Sequence, residues 1–272
     1  MKERLRDIIN AVRDDAIDYF INSDDLPEVI NNGLDMVLSE SAALLFSGIL
    51  GAALPRVNAV ISNYKQHRFE RHVRKTLQIM MSRIESIENN YSELNEEIQE
   101  KYRGVYAEWL LDSLDDEPQE EKIPYYVNGY INLMNNEVND NLMLMYFNTI
   151  TQMTNLDIEV LKMYDINSAE SIYSISEKYH LEFDQIRVIK EKLSRLGMIN
   201  SKNNDIRDKN IDNIVDYLKK VDKDNKKSKP QGVRLPNMKK TNGSDSYSIS
   251  VLGRNYLKVM LNNDVSKKST IL

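Results

Sequence analysis

Residues 183–199 read FDQIRVIKEKLSRLGMI, and residues 247–254 read YSISVLGR. In the first stretch Ile186, Ile189, Leu193 and Leu196 recur at helical spacing on one face, and Gly197 ends the pattern. Glycine just past the last apolar residue is a common helix stop, because it enters the left-handed region at no steric cost. Met198–Ser201 then has the length of a short strand. The second stretch alternates apolar and polar side chains from Tyr247 to Val251, the period of a half-buried strand, and Leu252–Leu261 returns to a helical period. Upstream, Thr154 with Asp157 and Ser174 with Glu177 have capping-box spacing and predict helices running to Tyr164 and to about His180. The tail therefore reads as three helices, a strand, a long insert, a second strand and a closing helix.

That order resembles a winged helix. Leu193-Ser194-Arg195-Leu196-Gly197-Met198-Ile199 is similar to the close of the recognition helix in bacterial winged-helix proteins. Tyr247-Ser248-Ile249-Ser250-Val251-Leu252-Gly253-Arg254 is similar to their last wing strand entering a helix. The resemblance covers about 154–261 and departs from the pattern in the insert, 202–246. It implies that Phe183–Leu196 docks in a major groove with Asp184, Gln185, Arg187, Val188 and Glu191 outward. Gln185 and Arg187 suit adenine and guanine edges, and Lys190 and Arg195 would face phosphates. Lys226, Lys227, Lys239 and Lys240, with Lys229 and Arg234, would track the backbone of double-stranded DNA. Asp184 and Glu191 repel phosphate, so protein contact and a purely structural role stand beside DNA binding.

The insert is rich in Lys, Asp, Asn and Ser and holds one amphipathic piece, Ile211, Ile214, Val215 and Leu218; the rest is expected to be mobile. Charge separates the two ends of the chain. Residues 1–149 carry 14 Lys and Arg against 26 Asp and Glu, whereas residues 150–272 carry 22 against 16. A basic end on an acidic chain hints at an anionic partner for that end.

Working toward the N-terminus, residues 1–153 read as an all-helical domain. Val138–Ile150 and Val127–Met134 have helical periods, with a break at Asn135-Asn136. From Val73 through Leu77, Met80, Ile84, Ile87, Tyr91 and Leu94 to Ile98 the apolar steps alternate four and three. This heptad rhythm predicts a long helix or a hairpin packed as a coiled coil, with Asn89–Ser92 as a possible interruption. Such a stripe needs a partner, which the apolar segment 41–55 would supply as a buried helix; the helical domain as a whole is expected to self-associate or to engage a protein partner. Leu5, Ile8, Val12, Ala16 and Phe20 predict an amphipathic helix over 2–21. The tail 263–272 is expected to be disordered.

Ser41–Pro55 is a run of fifteen uncharged residues followed by Lys65, Arg68, Arg71 and Lys75. One reading makes Leu44, Leu45, Phe46, Ile49 and Leu50 a lipid-seeking element beside anionic headgroups, as in a membrane-acting effector. The other makes it a buried helix, in which Gly48 and Gly51 let a neighbour approach. Fifteen residues span about 22 Å as a helix, short of the roughly 30 Å hydrocarbon core, which favours burial. The region 40–153 loosely resembles a broad group of bacterial helical proteins found on prophages and other mobile elements, some near phage-defence genes. The shared features are the Gly/Ala-rich segment, the long charged helix and the helix start Glu120-Glu121-Lys122-Ile123.

Catalytic chemistry has no foothold in the motifs. Cysteine is absent, which excludes disulfides and thiolate metal sites. His67 and His72 are five apart and so on different helix faces, and His180 reads as a helix-end residue. HExxH, P-loop, GxGxxG and nucleophile-elbow patterns are all missing. The acidic run Asp115-Asp116-Glu117 with Glu120-Glu121-Lys122 superficially matches a nuclease carboxylate set, but it sits in helix and turn and reads as a solvated loop. The expectation is a non-enzymatic protein without metal or cofactor. The N-terminal residues Met1-Lys2-Glu3-Arg4 lead into mixed charge rather than a signal peptide, so the expected compartment is the cytoplasm.

Overall fold

In the computed structural model, which describes residues 40–57, 64–135, 139–165, 168, 170–241 and 243–261, the uncharged run lies in α1 (Glu40–Val57). The expected helix at 2–21, the stretch 58–63 and the tail 263–272 lie outside the described residues. The chain is mainly helical with one two-stranded antiparallel sheet. It divides into two compact units, one of residues up to Leu156 together with those from Asn255, the other Asp157–Arg254.

In the first unit α1 is followed by α2 (Tyr64–Ser82), α3 (Ile84–Ser92), α4 (Glu96–Arg103) and α5 (Val105–Asp116). A short 3₁₀ turn, Glu120–Lys122, leads into α6 (Ile123–Asn132), and α7 spans Asp140–Gln152. The central helix is α1: it packs on α3, α4 and α5, with Ala42, Leu45, Ile49 and Ala53 wholly buried. Phe46 and Leu50 are also buried and Leu44 is half-buried. Four of the five apolar side chains of the lipid-seeking reading, Leu45, Phe46, Ile49 and Leu50, are therefore core residues. No helix among the described residues is long and apolar enough to cross a membrane. Gly48 is required: a β-carbon there would fall 2.5 Å from the Arg103 carbonyl oxygen, so only glycine lets the end of α4 approach. Gly51 meets open space instead. The basic residues of that reading lie outside, with Lys65 and Arg71 exposed and Arg68 donating to the Asp115 carbonyl at 2.7 Å.

The heptad stripe is not one helix. Arg83 separates α2 from α3, and Asn95 caps α4 by accepting from Ile98 N–H at 2.9 Å. Val73, Leu77 and Met80 are buried where α2 packs on α5 and α6, and Ile87 and Tyr91 are buried on α3. Ile84, Leu94 and Ile98 are half-buried. The first unit's own helices cover the stripe, so it does not require a second chain. The break has a cause: the buried Arg83 guanidinium donates to Asn128 (3.1 Å) and Asn132 (2.6 Å) on α6. Those amides in turn donate to the Met260 and Val259 carbonyls at 2.9 and 2.8 Å, satisfying acceptors that the end of the last helix leaves open.

The acidic run is not simply a solvated loop. Asp115, Asp116, Glu120 and Glu121 are exposed, but Glu117 and Lys122 are buried against each other at 2.5 Å. Glu117 also accepts from Gln119 N–H and the Tyr126 hydroxyl, both at 2.9 Å.

The second unit contains all but the first two residues of α8 (Asn155–Lys162), and α9 (Ile172–Tyr179), α10 (Phe183–Arg195), β1 (Ile199–Ser201), α11 (Lys202–Asn225) and β2 (Tyr247–Ile249). The helix α12 (Val251–Met260) begins here and ends in the first unit, where Tyr256, Leu257, Val259 and Met260 are buried. Ile199, Asn200 and Ser201 pair antiparallel with Ile249, Ser248 and Tyr247. The capping box of α9 is Ser171 with Ser174, three residues before the expected one. The insert 202–246, expected to be mostly mobile, opens with the 24 residues of α11, capped by the Ser201 hydroxyl. Gly253 sits where a β-carbon would come 2.1 Å from the Met198 carbonyl oxygen. Replacing Gly253 with alanine is expected to destabilise the protein by about 1–3 kcal/mol in urea unfolding, overpacking outweighing the gain in helix propensity. Unchanged or increased stability contradicts that contact.

Candidate nucleic-acid interface

The helix α10 is amphipathic by sequence and is held as such. Ile186 and Leu193 are buried on its inner face. Two ion pairs fix α8 against its neighbours: Asp157 with Lys192 of α10 at 2.5 Å, and Glu159 with Lys178 of α9 at 3.3 Å. Both carboxylates are buried, so they pin the helices where a surface pair would contribute little. The turn between α9 and α10 passes through His180 in the left-handed conformation (φ 51°), closing α9 as its C-cap. Glu182 and Gln185 then form a reciprocal capping box that starts α10.

The outer face of α10 exposes Asp184, Gln185, Arg187, Val188, Glu191 and Arg195. Arg187 lies 3.5 Å from Asp184 and 4.0 Å from Glu191, in pairs exposed enough to exchange with solvent or ligand. Gln185 is exposed, but its Oε1 accepts from the Glu182 N–H at 2.9 Å, leaving the amide nitrogen for outside contacts. Lys190, expected to face phosphates, is half-buried instead. Its ammonium stands 6.0 Å from the ring centroids of both Tyr164 and Tyr247, and burial holds it below the ordinary lysine range. The rings attract the cation, so Lys190 braces α10 against its surroundings.

Beside this face is an open polar groove of about 490 Å³, where Arg187, Glu191, Ser194 and Arg195 of α10 meet Ser201, Asn203, Asn204 and Arg207 at the start of α11. Gly243, Asp245 and Tyr247 complete it. Asp245 belongs to the scaffold. It accepts from the Ser201 hydroxyl and from Asn203 N–H at 2.9 Å, anchoring the return of the chain to the first turn of α11. Burial opposes its charge, but hydrogen bonds from Ser201, Asn203, Ser246 and Tyr247 hold its carboxyl below the usual carboxylate range. The groove thus presents three guanidinium groups against Glu191 and an internally engaged Asp245.

Of the residues singled out from sequence, Arg187 and Arg195 come together here. Lys226, Lys227, Lys239 and Lys240 do not line the groove but are exposed along the chain after α11. Lys226 pairs with Asp222 at 2.6 Å and Lys227 with Asp224 at 2.9 Å. Sequence reading missed Arg207, and the one signal for it was Ser201 as a helix cap, its hydroxyl accepting from Asn204 N–H at 3.0 Å. An aromatic pair was missed as well: Tyr173 and Phe183, edge to face at 5.5 Å, are 71% and 52% exposed at the start of α10.

His72 is buried with Nδ1 2.8 Å from the Leu114 carbonyl, while His67 is exposed beside Glu70. Among the described residues no three His, Asp or Glu side chains group as metal ligands would. No family model matches the chain, and no curated protein or solved structure matches it.

Proposed function

We propose that the chain is a non-enzymatic DNA-binding regulatory protein whose unit Asp157–Arg254 works as a winged helix, with α10 as the reading helix. The observation that carries this is the convergence of Arg187, Arg195 and Arg207, from two helices, on one open groove flanking the exposed face of α10. Arginine presents a planar fork to phosphate or to a guanine edge, so three of them in one groove suit a nucleic-acid backbone and its adjoining bases. Residues 226–241 add six Lys and Arg and no carboxylate, all exposed, in reach of a long polyanion. The test is a fluorescence-anisotropy titration of the full chain with a labelled duplex. Binding is expected at about 50 mM salt, weakening by orders of magnitude at about 200 mM. No binding at the lower salt ends this reading.

A second reading, docking to protein, rests on the exposed Tyr173–Phe183 pair at the start of α10, with Val188 exposed further along the helix. It predicts that the same titration stays flat. The membrane-acting alternative has less support, because four of its five apolar side chains are packed inside the first unit.

A further inference from the structure

The helix α11 carries the amphipathic piece read from sequence, and among the described residues that face is exposed. Ile211 and Leu218 are each 58% exposed, and Ile214 and Val215 each 42%. Their spacing puts all four on one face over two turns. The chain beyond α11 folds back along it. Asp224 accepts from Gln231 and Gly232 N–H at 2.9 and 2.7 Å, and further on Asn210 exchanges two hydrogen bonds with the Lys239 backbone, at 2.7 and 3.0 Å. This return adds Leu235 and Met238, 73% and 40% exposed, to the same arm.

We propose that α11 is a self-association surface on which a second copy of this chain pairs its own α11 antiparallel. Two features select that occupant. The first is charge. From Asp205 to Asp216 the helix carries four Asp against Arg207 and Lys209, while from Tyr217 to its end at Asn225 it carries three Lys against Asp222 and Asp224, and Lys226, Lys227 and Lys229 extend the basic end just past it. Antiparallel pairing lays the acidic half of each copy on the basic half of the other, and brings Asp212 to Lys219 and Asp205 to Lys226 of the second copy. Parallel pairing sets the lysine-rich halves against each other. The second is area. Six side chains exposing about 100 Å² each give about 600 Å² per copy and about 1,200 Å² for the pair, the lower edge of a specific interface. An antiparallel pair about a two-fold axis is also closed, so it stops at a dimer. The inference rests on α11 and its return alone and stands whether or not the protein binds DNA.

Sedimentation velocity on the full chain, from about 1 to 100 μM, tests it in the range where an interface of this size associates. A concentration-dependent dimer is expected. The I214E/L218E variant is expected to be monomeric with an unchanged circular dichroism spectrum. D212K is expected to weaken the dimer about tenfold or more, and D212K/K219D to restore most of the loss, because the swap re-forms the pair across the axis. A chain that stays monomeric overturns the proposal, whatever protein or lipid α11 then captures. A dimer indifferent to I214E/L218E overturns it too, since another surface is then in use. Failure of the charge swap to restore what D212K loses overturns the antiparallel arrangement.

Discussion

Replacing Lys122 with methionine is expected to destabilise the protein by about 3–5 kcal/mol, the cost of leaving a buried charge without its counterion. Glu117 and Lys122 are each only 2% exposed at the side chain, so water cannot step in for the lost ammonium. The remaining donors to Glu117, the Gln119 N–H and the Tyr126 hydroxyl, are neutral and replace only part of it. The double variant E117Q/K122M is expected to lose less than K122M alone. Its amide oxygen still accepts from Gln119 N–H, its NH2 faces the Tyr126 hydroxyl, which can accept in turn, and no charge is left buried. Urea unfolding of the two variants decides the matter. A K122M protein within about 1 kcal/mol of wild type means that the pair is solvated and that the junction between α5 and α6 is not built on it.

The second large effect is expected at the groove. Changing Arg187, Arg195 and Arg207 together to alanine should weaken duplex binding by at least about a hundredfold and flatten its salt dependence, each lost phosphate contact reducing the slope by about 0.9. The three are separable. R187A, on the exposed face of α10, is expected to relax sequence preference, whereas R195A and R207A are expected to weaken all duplexes alike. None of the three side chains is buried, so the fold should tolerate the changes, and an unchanged melting temperature is the control. Equal binding by the triple variant and the wild type shows that the groove does not hold the duplex.

Which of these features sequence reading reached follows from what each one depends on. The order of three helices and two strands was readable because each element carries its own signal: the apolar face of α10, Gly197 at its end and the alternation at Tyr247–Ile249. The burial of α1 was readable too, since an uncharged run too short for a bilayer has few places but a core. The heptad stripe misled in one respect. Its rhythm continues across the breaks at Arg83 and Asn95, because three consecutive helices packed on one core keep the same face inward; at the breaks Arg83 bonds across to α6 and Asn95 caps the next helix. The insert looked mobile because α11 is dense in charge and buries almost none of its side chains. Low burial removes the hydrophobic signal without removing the helix. Glu117 with Lys122, and Arg207 with Asp245, were out of reach for another reason. What each of these residues does is set by the three-dimensional path of the chain, and the spacing of residue types does not encode that.

In the proposed function α10 presents its outer face to DNA, and that contact is measured most directly by photocrosslinking. A benzophenone side chain at Val188, 58% exposed at the middle of that face, is compared with the same group at Val105, 44% exposed on α5. Irradiation with labelled duplex is expected to crosslink the Val188 protein and leave the Val105 protein unlabelled. A chain that binds the duplex yet crosslinks equally from both positions, or from Val105 alone, contradicts the assignment.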